Sequence, residues 1–185
     1  MKNYSTVFLF AALFALASCG GNKETNQPEQ PAPPASNESS GSDLMKEEPA
    51  YDPSKIDPAA PVIDLLLKAK GNSMADMSYD QKELRVKAGS TVHLTLLNEG
   101  TDVSMVHNFV LIDEGTADKV GPEGLKAGQN MSFVPKMREV YVATSLTQPK
   151  QKSEIRFPAP PKGTYDFICT YPGHYQKMNG KFVVE

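Results

Sequence analysis

The chain has 185 residues, of which 39% are hydrophobic and 22% charged, and a formal net charge of -3. That length holds one ordinary domain plus accessory segments. A mildly acidic balance with no basic stripe argues against a protein that coats nucleic acid, so no nucleic-acid partner is expected.

At the N-terminus, Lys2 precedes the apolar run Val7 to Ala17, which falls well short of the ~20 residues that span a bilayer. It reads as the core of a signal peptide. The run ends in Leu16-Ala17-Ser18-Cys19-Gly20, which resembles a bacterial lipobox, with small residues for the peptidase and Cys19 as lipid acceptor. Residues 1–18 are therefore read as a lipoprotein signal peptide. The expectation is a bacterial envelope protein bound to the membrane through its N-terminal lipid, its domain in the periplasm or at the outer face. Cleavage before Cys19 removes Lys2 and no acidic residue, leaving 18 Lys plus Arg against 22 Asp plus Glu. It also leaves Cys169 as the single free thiol of an envelope protein, which calls for a reason.

Residues 19–61 are rich in Pro, Ser and Glu, with eight prolines and almost no large apolar side chains. Such a segment cannot bury enough surface to offset its ordering entropy and reads as a disordered tether, reaching on the order of 40 Å. The domain is placed at 62–185.

Its elements read mostly as short strands. Val62 to Ala69 is an apolar run with a β-branched start, stopped by Gly71-Asn72. Leu84 and Val86 alternate with charged neighbours, and Val92, Leu94 and Leu96 alternate with His93 and Thr95, which puts His93 on the outer face. His107 to Ile112 reads as a strand with a ligand-type residue at its start. From Asp113 to Lys136, glycines and Pro122 break any regular pattern, giving a flap with room for a short helix. Val140 to Thr144, Ile155 to Phe157, Thr164 to Cys169 and Phe182 to Val184 complete the set. Seven or eight short strands separated by turn residues point to an all-β, antiparallel sandwich.

The chemistry gathers at the end of the chain. Cys169 closes one strand, Pro172-Gly173 turns the chain back, His174 follows five residues after the cysteine, and Met178 comes four after that. A thiolate and a thioether beside imidazoles select copper, and a His₂Cys plane with a long axial Met is an electron-transfer arrangement. Zinc is the rival metal, but a structural zinc site would bring more cysteines and gain little from Met. No carboxylate lies close in sequence to this loop to serve as a general base, so an enzyme is not expected.

Met105-Val106-His107-Asn108 together with Cys169-Thr170-Tyr171-Pro172-Gly173-His174 and Met178 resembles the cupredoxins, the small blue copper proteins, and within them the azurin and auracyanin branch. Gly71-Asn72, Met77 and Tyr79 resemble that branch's first-strand region. The resemblance implies a Greek-key sandwich holding one type 1 copper ion, cycling between Cu(II) and Cu(I). His107, Cys169 and His174 would form the strong ligand plane and Met178 the weak axial ligand. Asn108 and Thr170 would support them from behind. Val106 stands where azurin has Gly, and its carbonyl is the candidate for a second weak axial contact; azurin's disulfide is absent. By the same resemblance the electron would leave at a patch formed by Met105, Pro172, Tyr175 and Met77. The implied function is one-electron transfer between transient redox partners, such as cytochromes or membrane respiratory complexes, by a monomer. A copper chaperone or storage lipoprotein without redox turnover is the alternative.

Overall fold

The computed structural model describes residues 50–185; the signal peptide, Cys19 and most of the tether lie outside the described residues. Among the described residues, nine strands form two sheets. In the first, β1 (Val62–Lys70) lies between the two-residue β2 (Ser78–Tyr79) and β4 (Thr91–Asn98), and β7 (Lys152–Pro158) flanks β4 on its other side. The second runs in the order β3 (Glu83–Val86), β9 (Asn179–Val184), β8 (Gly163–Ile168), β5 (Val110–Asp113) and β6 (Val140–Ala143).

The alternation in β4 sets its faces as expected: Val92, Leu94 and Leu96 are fully buried, while His93, Thr95 and Leu97 are half-buried on the outer side. From the first sheet Leu67, Leu94, Leu96 and Phe157 meet Leu84, Leu111, Phe167 and Phe182 of the second in one core cluster. β5 is buried on both faces. Leu111 points into that core, whereas Val110 and Ile112 join Val120 and Ile168 in a second cluster. Val120 comes from α1 (Ala117–Ala127), the one α-helix among the described residues, which lies within the flap.

Three features depart from the sequence reading. The sheets are mixed, because β1 runs parallel to β4 from Val62↔Thr91 to Ala69↔Asn98 and β3 runs parallel to β9. Alternation fixes which face is buried, not strand direction; the chain leaves β1, crosses to the other sheet as β3, and returns as β4. Second, His107 is not part of β5. It makes an isolated bridge with Thr147, each amide bonding the other's carbonyl. Third, the ordered body begins before Val62: the Tyr51 hydroxyl donates to the Pro158 carbonyl at 2.9 Å and its ring packs against Tyr141 with centroids 5.3 Å apart.

Core packing is tight near the second sheet's edge. A Cβ on Gly180 would strike the Phe167 ring and lie 2.8 Å from the Lys82 carbonyl. Gly180→Ala is expected to lower stability by about 1–3 kcal/mol through overpacking, read as a drop in the denaturant midpoint of the metal-free protein. No described helix is long and apolar enough to cross a membrane.

Candidate metal centre

At one pole of the sandwich, the end of β8 and the loop before β5 bring together three donor side chains. His107, Cys169 and His174 are exposed by no more than 1%. The two imidazole Nδ1 atoms lie 3.2 Å apart, and the Cys169 sulfur is 3.9 Å from Nδ1 of His107 and 3.7 Å from Nδ1 of His174. A point about 2.1 Å from all three atoms lies in their plane, within the roughly 2.0–2.3 Å that first-row metals make to imidazole nitrogen and thiolate sulfur.

Backbone hydrogen bonds hold this triangle. The turn closes with His174 N–H donating to the Tyr171 carbonyl at 3.0 Å, around Gly173 at φ 81°. Met178 is bonded to both loop ligands: its carbonyl accepts from Cys169 N–H and its N–H donates to the His174 carbonyl, each at 2.9 Å. Its side chain is fully buried in the same core cluster as Cys169.

Asn108 joins the two ligand segments. Its Oδ1 accepts from Thr170 N–H, and its Nδ2 donates to Thr170 Oγ1 and to the Ser132 carbonyl, all at 2.9 Å. Asn108→Ala would strand the Thr170 amide and the Ser132 carbonyl, two groups that burial makes costly to leave unpaired. The expected loss is about 2–3 kcal/mol, read by denaturant unfolding of the metal-free protein, together with faster amide exchange across residues 129–134.

The electrostatics are those of a metal-free donor set. Burial pushes the Cys169 thiol up to about 12, although the amides of Asn108 and Tyr171 and the Tyr79 hydroxyl pull the other way. Burial, helped by the charge of His174, lowers His107 to about 4, and burial lowers His174 to about 4 as well. Both rings are therefore neutral over most of the pH range. Two neutral nitrogens at 3.2 Å can share only one proton between them, so their facing lone pairs and the thiol together suit a soft cation.

Four residues that the sequence did not single out for a role support the pole. Tyr79 is 3% exposed and donates its hydroxyl to the Asn108 carbonyl. Fully buried Asn98 donates to the Met105 and Thr147 carbonyls at 2.7 and 3.0 Å and accepts from Gly100 N–H. Ser132 and Phe133 adopt positive φ (53° and 56°), which presents the Ser132 carbonyl to Asn108 and sets the Phe133 ring edge-on to Tyr171 at 5.1 Å. Only their polar or aromatic character was visible in advance.

Of the expected exit patch, Met77 and Met105 are buried at 3% and 6% exposed. Pro172 and Tyr175 are half-buried, Tyr175 packing against the second core cluster and on Gly121 of α1. Exposed apolar side chains on the loops here include Val103 at 86% and Met74 at 47%, with Met74 Cε 3.1 Å from where a Cβ on Gly173 would lie. Asn72 Oδ1 ties their two loops together by accepting from Thr101 N–H and Oγ1–H and from Asp102 N–H. Val106 is 6% exposed. His93 lies apart, bonded through Nδ1 to Asp64 at 2.8 Å.

A buried His₂Cys triangle with a neighbouring Met at the pole of a two-sheet sandwich defines a β-sandwich protein whose donor set fits one type 1 copper ion. A family model described as copper binding proteins, plastocyanin/azurin family, matches residues 65–185, and the chain belongs to that family. Auracyanin-A of Chloroflexus aurantiacus is 36% identical over 117 residues, covering 62% of this chain and 71% of that protein. Its solved structure, titled a "blue" copper protein, superposes with a TM-score of 0.59 over 67% of this chain and 99% of its own. Dithionite-reduced auracyanin from Roseiflexus castenholzii matches with 35% identity and a TM-score of 0.59, covering 66% of this chain and 96% of that one. Outer membrane protein H.8 of Neisseria gonorrhoeae is 33% identical over 112 residues, 57% of this chain and 61% of that protein.

Proposed function

We propose that this protein is a one-electron carrier of the bacterial cell envelope. The observation that carries the reading is the spacing of the three donor atoms, set by backbone and side-chain hydrogen bonds that belong to the fold. Among the described residues no carboxylate joins the cluster, which suits electron exchange better than hydrolytic chemistry. When bound, copper supplies one-electron exchange between Cu(II) and Cu(I).

In this reading His107, Cys169 and His174 would hold the ion, Met178 would be a weaker fourth donor, and the Val106 carbonyl would be the candidate for a fifth contact. The Asn108 ties to Thr170 and Ser132 keep the two ligand segments in place whichever charge state is present. His174 lies just beneath the surface, beside Gly173 and the exposed Met74, and Val103 projects from the adjoining loop. A small apolar rim of this kind suits brief docking of a redox protein, a cytochrome or a membrane respiratory complex, to a monomer. A lipid on Cys19 and the segment between it and the domain would keep the protein at a membrane; the outer-membrane name of the Neisseria relative supports an envelope location.

The copper-loaded protein should show an intense blue thiolate-to-copper band and reversible one-electron voltammetry without losing its metal. A colourless complex would sink the reading. The exposed thioether of Met74 against Gly173 is the one feature that favours a copper chaperone or store. That alternative predicts slow electron exchange and ready release of copper to an acceptor.

A further inference from the structure

α1 is a poor helix by its own sequence. Two glycines in an 11-residue helix lower its propensity well below that of alanine, and Pro122 removes a backbone donor from its interior. Packing explains both glycines. A Cβ on Gly124 would lie 2.6 Å from the Thr170 carbonyl oxygen, 2.8 Å from the Phe133 carbonyl oxygen and 3.0 Å from the Thr170 Cβ. A Cβ on Gly121, one turn earlier, would fall within the Tyr175 ring. Thr170 directly follows Cys169, and Tyr175 directly follows His174. The helix backbone therefore rests on the residues that follow Cys169 and His174.

We propose that α1 is a brace for this loop, with Gly121 and Gly124 as positioning residues that set how closely Cys169 and His174 approach His107. The inference rests on the copper-carrier reading. Thr170 is held from the other side by two hydrogen bonds with Asn108's side-chain amide, donating its N–H to Oδ1 and accepting at Oγ1 from Nδ2, so it sits between Asn108 and α1. The flap closes the frame, because the Phe133 carbonyl faces Gly124 while the neighbouring Ser132 carbonyl accepts from Asn108. A methyl group at position 124 would push Thr170 outward against Asn108, and the sulfur of Cys169 would shift with it, altering its 3.9 and 3.7 Å spacings from Nδ1 of His107 and His174. Removing the Tyr175 ring would free the His174 side of the loop without adding an atom anywhere.

The test compares wild type, Gly124→Ala, Tyr175→Ala and Gly115→Ala as full chains. Gly115 has φ +75° with open space where a Cβ would go, so its alanine variant carries a backbone penalty without touching the loop. The readouts are Cu(II) affinity by competition with a chelator, the ratio of the two thiolate-to-copper absorption bands, and the unfolding midpoint of the metal-free protein. Gly124→Ala and Tyr175→Ala should each weaken copper binding about 10–100-fold, as loss of an outer support does elsewhere, and should raise the shorter-wavelength band relative to the longer. Gly115→Ala should lower the midpoint and leave the other two readouts alone. The proposal is overturned if folded Gly124→Ala and Tyr175→Ala keep wild-type affinity and band ratio; α1 is then only a cover for the second core cluster. Should Gly124→Ala fail to fold, Tyr175→Ala decides alone. A colourless wild type would count against the copper-carrier reading, whereas a blue wild type with unaltered variants counts against the brace.

Discussion

Cys169→Ser is expected to abolish the blue band and to weaken Cu(II) binding by more than the roughly 100-fold that outer supports command. The sulfur is the only soft anionic donor in the triangle, and the intense colour depends on charge transfer from it. A hydroxyl at this depth stays protonated, leaving two imidazoles and a buried thioether. The fold should survive the change. The serine is close in volume, and the Asn108 and Tyr171 amides that approach the sulfur can donate to its oxygen instead. Unfolding of the metal-free variant should therefore lie within about 1.5 kcal/mol of wild type. Cys19 is the only other cysteine, so any remaining band would have to come from there. A variant that stayed fully blue would show that the thiolate is not the donor.

The donors of the ligand loop were legible because they are local: Cys169, His174 and Met178 fall within ten residues, and their spacing needs only a turn at Pro172-Gly173 to converge. His107 was legible as a type of residue but not by its setting, since a bridge to Thr147 depends on two segments 40 positions apart. The alternation of Val92, Leu94 and Leu96 revealed the buried face of β4. Its parallel partner β1 was hidden, because one strand's side-chain pattern is the same whichever way its neighbour runs. The two-residue β2 is too short to leave a period at all. Gly121 and Gly124 looked like helix breakers in the sequence; only the positions of Tyr175 and Thr170 show that they permit close approach. Likewise the sequence did not show that half-buried Tyr175 packs against the apolar cluster of Val110, Ile112, Val120 and Ile168.

Protons should compete with copper in a way that the buried donors make quantitative. For the metal-free protein, His107 and His174 fall from 6.5 to about 4 on folding, so between those values the unfolded chain binds more protons. Stability then declines as pH drops through that window, by up to about 1.4 kcal/mol per pH unit for each histidine. Cys169 moves the other way, from 9.0 to about 12, so the folded thiol keeps its proton longer and stability declines as pH rises across that interval. The metal-free fold is thus steadiest between about pH 6.5 and 9. Copper binding adds its own dependence. Between about pH 4 and 12 the histidines are already neutral, and binding must displace one proton, that of Cys169. Apparent affinity should rise about tenfold per pH unit in that range. Below about pH 4 both imidazoles must also lose protons, and the dependence should steepen toward three protons per ion. Competition titrations from pH 5 to 8 check the single-proton slope. A slope near zero would mean that the Asn108 and Tyr171 amides outweigh burial and hold Cys169 as a thiolate before any metal arrives.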